Sequence, residues 1–188
     1  MKKLIIALAA VALGVSAHAA NVRWTTSTAL FMGNDSDTFA GTVYLVDTAS
    51  GSGGIAQAAL LSAFLGGTLT IGNYDVASAS ASAGKITATT LNPIQKSDGT
   101  DYGPGSVSFY MVAIDGDKIF ISDSKSVTLT TIGSTGAGFS LKAQSTAAAS
   151  LSTTFSAGGW YTKSVPEPTS GLLMLVGLGA LALRRRKA

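Results

Sequence analysis

The residues with enough chemistry to make a site are few, and most are aspartates beside glycines or other small polar residues. Asp115-Gly116-Asp117 and Asn34-Asp35-Ser36-Asp37 each crowd oxygen ligands together, and Asp98 and Asp101 flank Gly99. Close-set carboxylates are what calcium takes, but none of these stretches follows the full EF-hand pattern. Asp and Gly are also ordinary turn residues. Asp115 and Asp117 would serve glycoside hydrolysis only if set across a cleft, which a hairpin tip does not offer. A serine beside Lys85 or Lys118 is the remaining nucleophile. The chain has no cysteine, and its one histidine is His18, near the N-terminus. His-based triads, Cys nucleophiles and the usual zinc sites are therefore excluded from the body. The expectation is a protein that is not an enzyme and needs no cofactor or metal. Trp24, Tyr44, Tyr102, Tyr110 and Trp160 would stack on sugar rings if exposed; otherwise they belong to a core. The Gly/Ser/Ala stretches hold no phosphate-loop pattern.

The elements that must position these residues read as mostly β. Residues 107–122, VSFYMVAIDGDKIFIS, give the strongest local signal. Val107, Phe109, Met111 and Ala113 alternate onto one face, and Asp115-Gly116 is a favoured hairpin turn. Tyr110, Val112 and Ile114 on the other face are apolar too, which predicts a central pair covered on both sides. Residues 22–31 and 38–46 read as strands from their β-branched and aromatic content. Residues 55–65, IAQAALLSAFL, predict a short uncharged helix closed by Gly66-Gly67 and buried against the sheet. Residues 68–71, 85–91, 127–132 and 151–155 are further strand candidates. Residues 76–84, VASASASAG, fit either a second small-residue helix or a loose loop, and residues 139–150 fit a helix. The expected fold is a single small β-rich domain, sandwich-like or a curved sheet, with one or two short helices. It occupies residues 20–155, with a linker over 156–165.

The two ends read as address labels. Lys2 and Lys3, an apolar run over residues 4–15 and the small-residue pair Ala17 and Ala19 make a secretory signal peptide over residues 1–19. Signal peptidase and the secretion translocon are its implied partners. At the other end stand Pro166-Glu167-Pro168, an uncharged apolar stretch over 171–183, and Arg184, Arg185, Arg186 and Lys187. Each proline fixes its own φ and disfavours helix in the residue before it. Residues 169–183 are expected as a transmembrane helix, at roughly 22 Å short for a hydrocarbon core of about 30 Å, with the basic cluster as its cytoplasmic stop.

This C-terminal arrangement, residues 166–188, resembles the PEP-CTERM sorting signal of Gram-negative bacteria. The resemblance implies export, a transient inner-membrane anchor with the body outside, and cutting near Pro166-Glu167-Pro168 by an exosortase. The protein would then reach the cell surface or extracellular matrix, as a biofilm component. It covers the tail alone and lends no activity to the body. Extracellular polysaccharide is the partner this setting implies, and a carbohydrate-binding module is the alternative reading. Nucleic acid is not expected. The formal charge of +3 arises at the ends, which hold six of the thirteen basic residues; the body keeps seven against ten acidic residues, or −3. No stripe of cations interleaved with aromatics appears there.

Overall fold

The computed structural model describes residues 22–32, 37–49, 53–87, 89–91, 95–129, 137–144 and 155–163. Its architecture follows from one strand, β5 (Gly105–Asp115), which is apolar on both faces. Phe109, Met111 and Ala113 point into one core, and Tyr110 and Val112 into another. All five are fully buried. A strand of this kind needs a layer on each side.

One sheet runs β3 (Asp75–Ala81), β2 (Gly41–Asp47), β5, β6 (Lys118–Ile121), β9 (Gly159–Thr162), with β7 (Lys125–Leu129) also on β5. Its neighbouring strands are antiparallel. The second sheet is β4 (Thr89–Leu91), β1 (Val22–Thr26), β8 (Ala137–Leu141). Here β1 and β8 are parallel, with Trp24 opposite Phe139. Val22, Trp24, Phe139 and Leu141 pack from this sheet onto Val43, Leu45, Phe109, Met111 and Trp160 of the first. The other face of the first sheet is covered by the helix α1 (Gln57–Leu65), whose Leu60, Leu61 and Phe64 meet Val46, Tyr110, Val112, Ile119 and Ile121. The order is sheet, sheet, helix, with β5 in the middle layer.

Local chemistry sets the element ends. The turn from β5 to β6 uses Gly116 at φ +58°, a conformation that costs glycine little. The helix stops at Gly66-Gly67, where Gly67 has φ +72° and its N–H bonds the Phe64 carbonyl. Beyond Ile121 the partner of β5 breaks step. From Val112 to Phe109, β5 advances three residues, while its partner advances four, from Ile121 to Lys125. This extra residue is a bulge, and Ser122 fills the gap. Fully buried, Ser122 donates its N–H to the Met111 carbonyl at 3.0 Å. Its Oγ accepts the Met111 N–H at 2.9 Å and donates to the Asp123 carbonyl at 2.8 Å. Gln57 of α1 donates to the Ser122 carbonyl at 2.5 Å, tying the helix to the same point.

Several expectations are corrected. Most of residues 76–84 is neither helix nor loop: β3 occupies Asp75–Ala81 and pairs with β2, and a turn follows at 83–84. Ala77 and Ala79 pack on the core while Ser78 and Ser80 face out, so small residues alternate with period two. The expected helix over 139–150 begins instead as β8, with Phe139, Leu141 and Ala143 buried and Gly138 and Lys142 exposed. Residues 68–71 form no strand but lead into a 3-10 turn, Ile71–Asn73. The expected linker contains β9, whose Trp160 and Tyr161 are buried on opposite faces of the sheet.

The transmembrane helix expected over residues 169–183 is corrected as well. No helix among the described residues is long and apolar enough to cross a membrane. The α-helix has nine residues, about 14 Å at the helical rise, and residues 169–183 lie outside the described ones. Among the described residues the fold is a mostly β domain with one short α-helix, and none of them supplies the spanning helix on which the expected inner-membrane anchor depended.

Two substitutions test this packing. Trp160 fills the core beside Phe39 and Phe120 and donates its Nε1–H to the Phe31 carbonyl at 2.5 Å. Trp160→Ala is expected to lower the unfolding free energy by about 3–5 kcal/mol, whereas a linker residue would change it little; urea denaturation distinguishes the two. Ser122→Ala strips the Met111 N–H of its side-chain acceptor and is expected to cost about 1–3 kcal/mol in the same measurement.

Candidate functional site

Among the described residues, the carboxylates singled out in the sequence are not brought together into a site. Asp115 and Asp117 are exposed at the hairpin tip, and Asp117 uses its carbonyl to accept the Lys163 N–H at 2.7 Å. Asp98 closes its own turn, accepting the Thr100 N–H at 2.9 Å and the Thr100 hydroxyl at 2.6 Å. These bonds, the hydroxyl's first, hold its carboxyl below the usual range. Asp101 accepts from Gln95 at 3.1 Å. Asn34, Asp35 and Ser36 lie outside the described residues, while the Asp37 carbonyl accepts the Met32 N–H at 2.7 Å. Among the described residues no three His, Cys, Asp or Glu side chains group to hold a metal. Lys85 meets Ser82 through backbone bonds in an exposed turn, and Lys118 sits opposite Thr162.

The rings considered for sugar stacking are mostly in the core. Trp24, Tyr102, Tyr110 and Trp160 are at most 3 % exposed, and Tyr44 is half-buried against the helix-side core. A sugar cannot reach the face of a buried ring, so Trp24, Tyr102, Tyr110 and Trp160 supply no stacking platform.

The most built polar cluster is one that the sequence did not announce. Asp47 ends β2 and is 1 % exposed. One carboxylate oxygen accepts the Ala49 N–H at 2.9 Å, and the other accepts the Tyr102 hydroxyl at 2.7 Å. Lys96 lies 5.6 Å from the centre of the Tyr102 ring. Beside them is a cleft of about 420 Å³, walled by Lys96, Tyr102 and residues 103–108. Both oxygens of Asp47 are engaged, and burial, followed by the bond to Asp47 and its charge, pushes the Tyr102 phenol up. Tyr110, pushed up chiefly by burial, donates to the Ile55 carbonyl at 2.7 Å. These groups clamp loops to the sheet: Tyr102 secures residues 95–104, and Tyr110 secures the entry to α1. An Asp after an apolar run looks like any strand end, and its partner lies fifty-five positions away; hence no local pattern marks the pair.

The residues of the two address labels, Ala17 and Ala19, Pro166, Glu167 and Pro168, and Arg184, Arg185, Arg186 and Lys187, lie outside the described residues. Comparison with known families places the C-terminal group all the same: a model of the PEP-CTERM protein-sorting motif matches residues 164–187. The chain thus carries the mark of an exosortase substrate, with Pro166-Glu167-Pro168 inside the matched segment. No curated protein and no solved structure matches the chain.

The phenol clamps generate a dependence on pH. Tyrosines in the unfolded chain ionise near 10.0, while Tyr102 and Tyr110 stay protonated well above that when folded. A group whose pKa is raised on folding contributes its full stability below the unfolded value and loses it as pH rises. Stability is therefore expected to fall above pH 10. The double variant Tyr102→Phe/Tyr110→Phe should flatten that fall, read as urea midpoints between about pH 8 and about pH 11. At neutral pH, Tyr102→Phe alone should cost about 1–3 kcal/mol, because it leaves a buried Asp47 oxygen without its donor.

Proposed function

We propose that the chain is a non-enzymatic exported protein of the cell surface or extracellular matrix, sorted through its C-terminal signal and cut there by an exosortase. The observation that carries this reading is the PEP-CTERM motif over residues 164–187. Three features of the body support it. His and Cys are absent beyond His18, which removes the commonest bases, thiol nucleophiles and zinc ligands. The buried Asp47 spends both carboxylate oxygens within the fold, on the Ala49 N–H and the Tyr102 hydroxyl. The body also does without disulfides, so its layers hold by packing alone in whatever redox setting it meets. Signal peptidase and the translocon act on the N-terminal label, and the exosortase on the C-terminal one. The stacking form of carbohydrate binding loses its support with the burial of the rings.

The test is the intact mass of the protein recovered from its native host. The expected product runs from Ala20 to near Pro168 and lacks Arg184 to Lys187. A Glu167→Ala chain is expected to keep those residues, because the recognition tripeptide is broken while the body is untouched. Recovery of that variant at the wild-type processed mass would overturn the reading.

A further inference from the structure

The cations of the body are unevenly placed, and their concentration marks a second site. Arg23 and Thr25 from β1, Gly138 and Ser140 from β8, and Lys125 at the start of β7 line a cleft of about 490 Å³. It runs into a second hollow of about 290 Å³ through Lys125 and Ser140, which line both, and there Lys142, Ser27 and Ser124 join them. Arg23, Lys125 and Lys142 are exposed. Three of the body's seven cations thus share this groove with one of its ten acids, Asp123. Elsewhere the count is four cations against nine acids. A body of net −3 therefore presents one locally positive channel, which attracts anions against its overall charge.

The placement follows from the alternation of the strands. Val22, Trp24, Phe139 and Leu141 turn into the core, which leaves Arg23, Thr25, Gly138, Ser140 and Lys142 on the outer side. The parallel register sets Arg23 beside Gly138 and Thr25 beside Ser140. Gly138 keeps the floor open: a Cβ there would meet nothing within 4 Å.

We propose that this groove binds an anionic polysaccharide, its carboxylates on Arg23, Lys125 and Lys142 and its hydroxyls on the serines and Thr25. The proposal adds a ligand to the exported protein described above and rests on that reading only for where the polymer is met. Two adjoining hollows suit a chain better than a single small anion. Phe139 lines the first hollow but is buried in the core, so neither hollow presents an open ring of the kind on which single-stranded nucleic acid stacks. They hold no protruding apolar anchor of the kind that dominates protein interfaces. Hydroxyls between separated cations match a polymer that alternates hydroxyls with separated carboxylates.

The experiment is titration of the purified full chain with polygalacturonate, neutral dextran and oligothymidylate, with thermal melting as a check on folding. Polygalacturonate is expected to bind, to weaken at high salt as screening shortens the reach of exposed charges, and to outcompete the other two. Arg23→Gln/Lys125→Gln/Lys142→Gln should lower its affinity about tenfold, the sum of three modest exposed ion contacts. Gly138→Leu adds bulk to the floor without removing charge and should weaken binding as well. Lys85→Gln/Lys118→Gln, which removes two cations outside the groove, should leave it unchanged. Absence of polygalacturonate binding, an equal loss in the Lys85/Lys118 variant, full binding by Gly138→Leu, or tighter binding of oligothymidylate would each overturn the proposal.

Discussion

A strand that is apolar on both sides dictates most of this fold. Phe109, Met111 and Ala113 on one face of β5 and Tyr110 and Val112 on the other cannot be satisfied by a single layer. Burying a large apolar side chain is worth about 1.5–3 kcal/mol, and leaving either face wet would forfeit several such contributions. The small sheet of β4, β1 and β8 closes one side and α1 the other. The length of β5 adds a further demand. Its eleven residues outrun any one neighbour, so one edge is shared between β6 and β7. The bulge at Ser122 is where that division falls, and the serine hydroxyl takes over the hydrogen bond that the interrupted ladder can no longer make.

The same economy governs the polar groups. In a core without disulfides, each buried heteroatom that pairs with a distant segment becomes a cross-link. Tyr110 holds Ile55, Trp160 holds Phe31, Gln57 holds Ser122, and Tyr102 holds Asp47. Each bond joins segments far apart in sequence, and each would be costly to leave unmade in a dry interior. The polar residues most shielded from water are thus committed to architecture. Chemistry with an outside partner falls to residues such as Arg23, Lys125 and Lys142, whose charges remain in solvent.

How much of this was legible depends on whether an element carries its own signal. The hairpin of β5 and β6 was legible because alternation and Asp115-Gly116 agree, and its two apolar faces announced a covered middle layer. The helix was legible because Ala and Leu run without β-branching up to Gly66-Gly67. The strand β3 was not, since Ala favours helix and Ser favours turns; it is a strand only because β2 supplies a partner edge. Phe139 and Leu141 alternate, but the alanines after them pulled the reading toward a helix, and nothing local reveals that β8 lies parallel to β1 more than a hundred residues away. Trp160 and Tyr161 sit among Gly, Ser and Thr, so four strand residues resembled a linker. The sorting tripeptide was plain for the opposite reason: its meaning lies in a short contiguous pattern read by another protein. The groove was hidden because its cations come from β1, β7 and the residue just after β8 and never approach one another in sequence.

The burial of β9 brings the sorting signal close to the folded body. The main chain is held as far as Lys163, whose N–H bonds the Asp117 carbonyl at the hairpin tip, and the matched motif begins at residue 164. Pro166 is three residues beyond Lys163, which allows at most about 10 Å of extended chain. An enzyme that cuts near Pro166-Glu167-Pro168 must therefore approach to within a side chain or two of the turn at Asp115-Gly116-Asp117. The two prolines fix their own φ and disfavour helix in the residues before them, so the sequence there favours extended backbone.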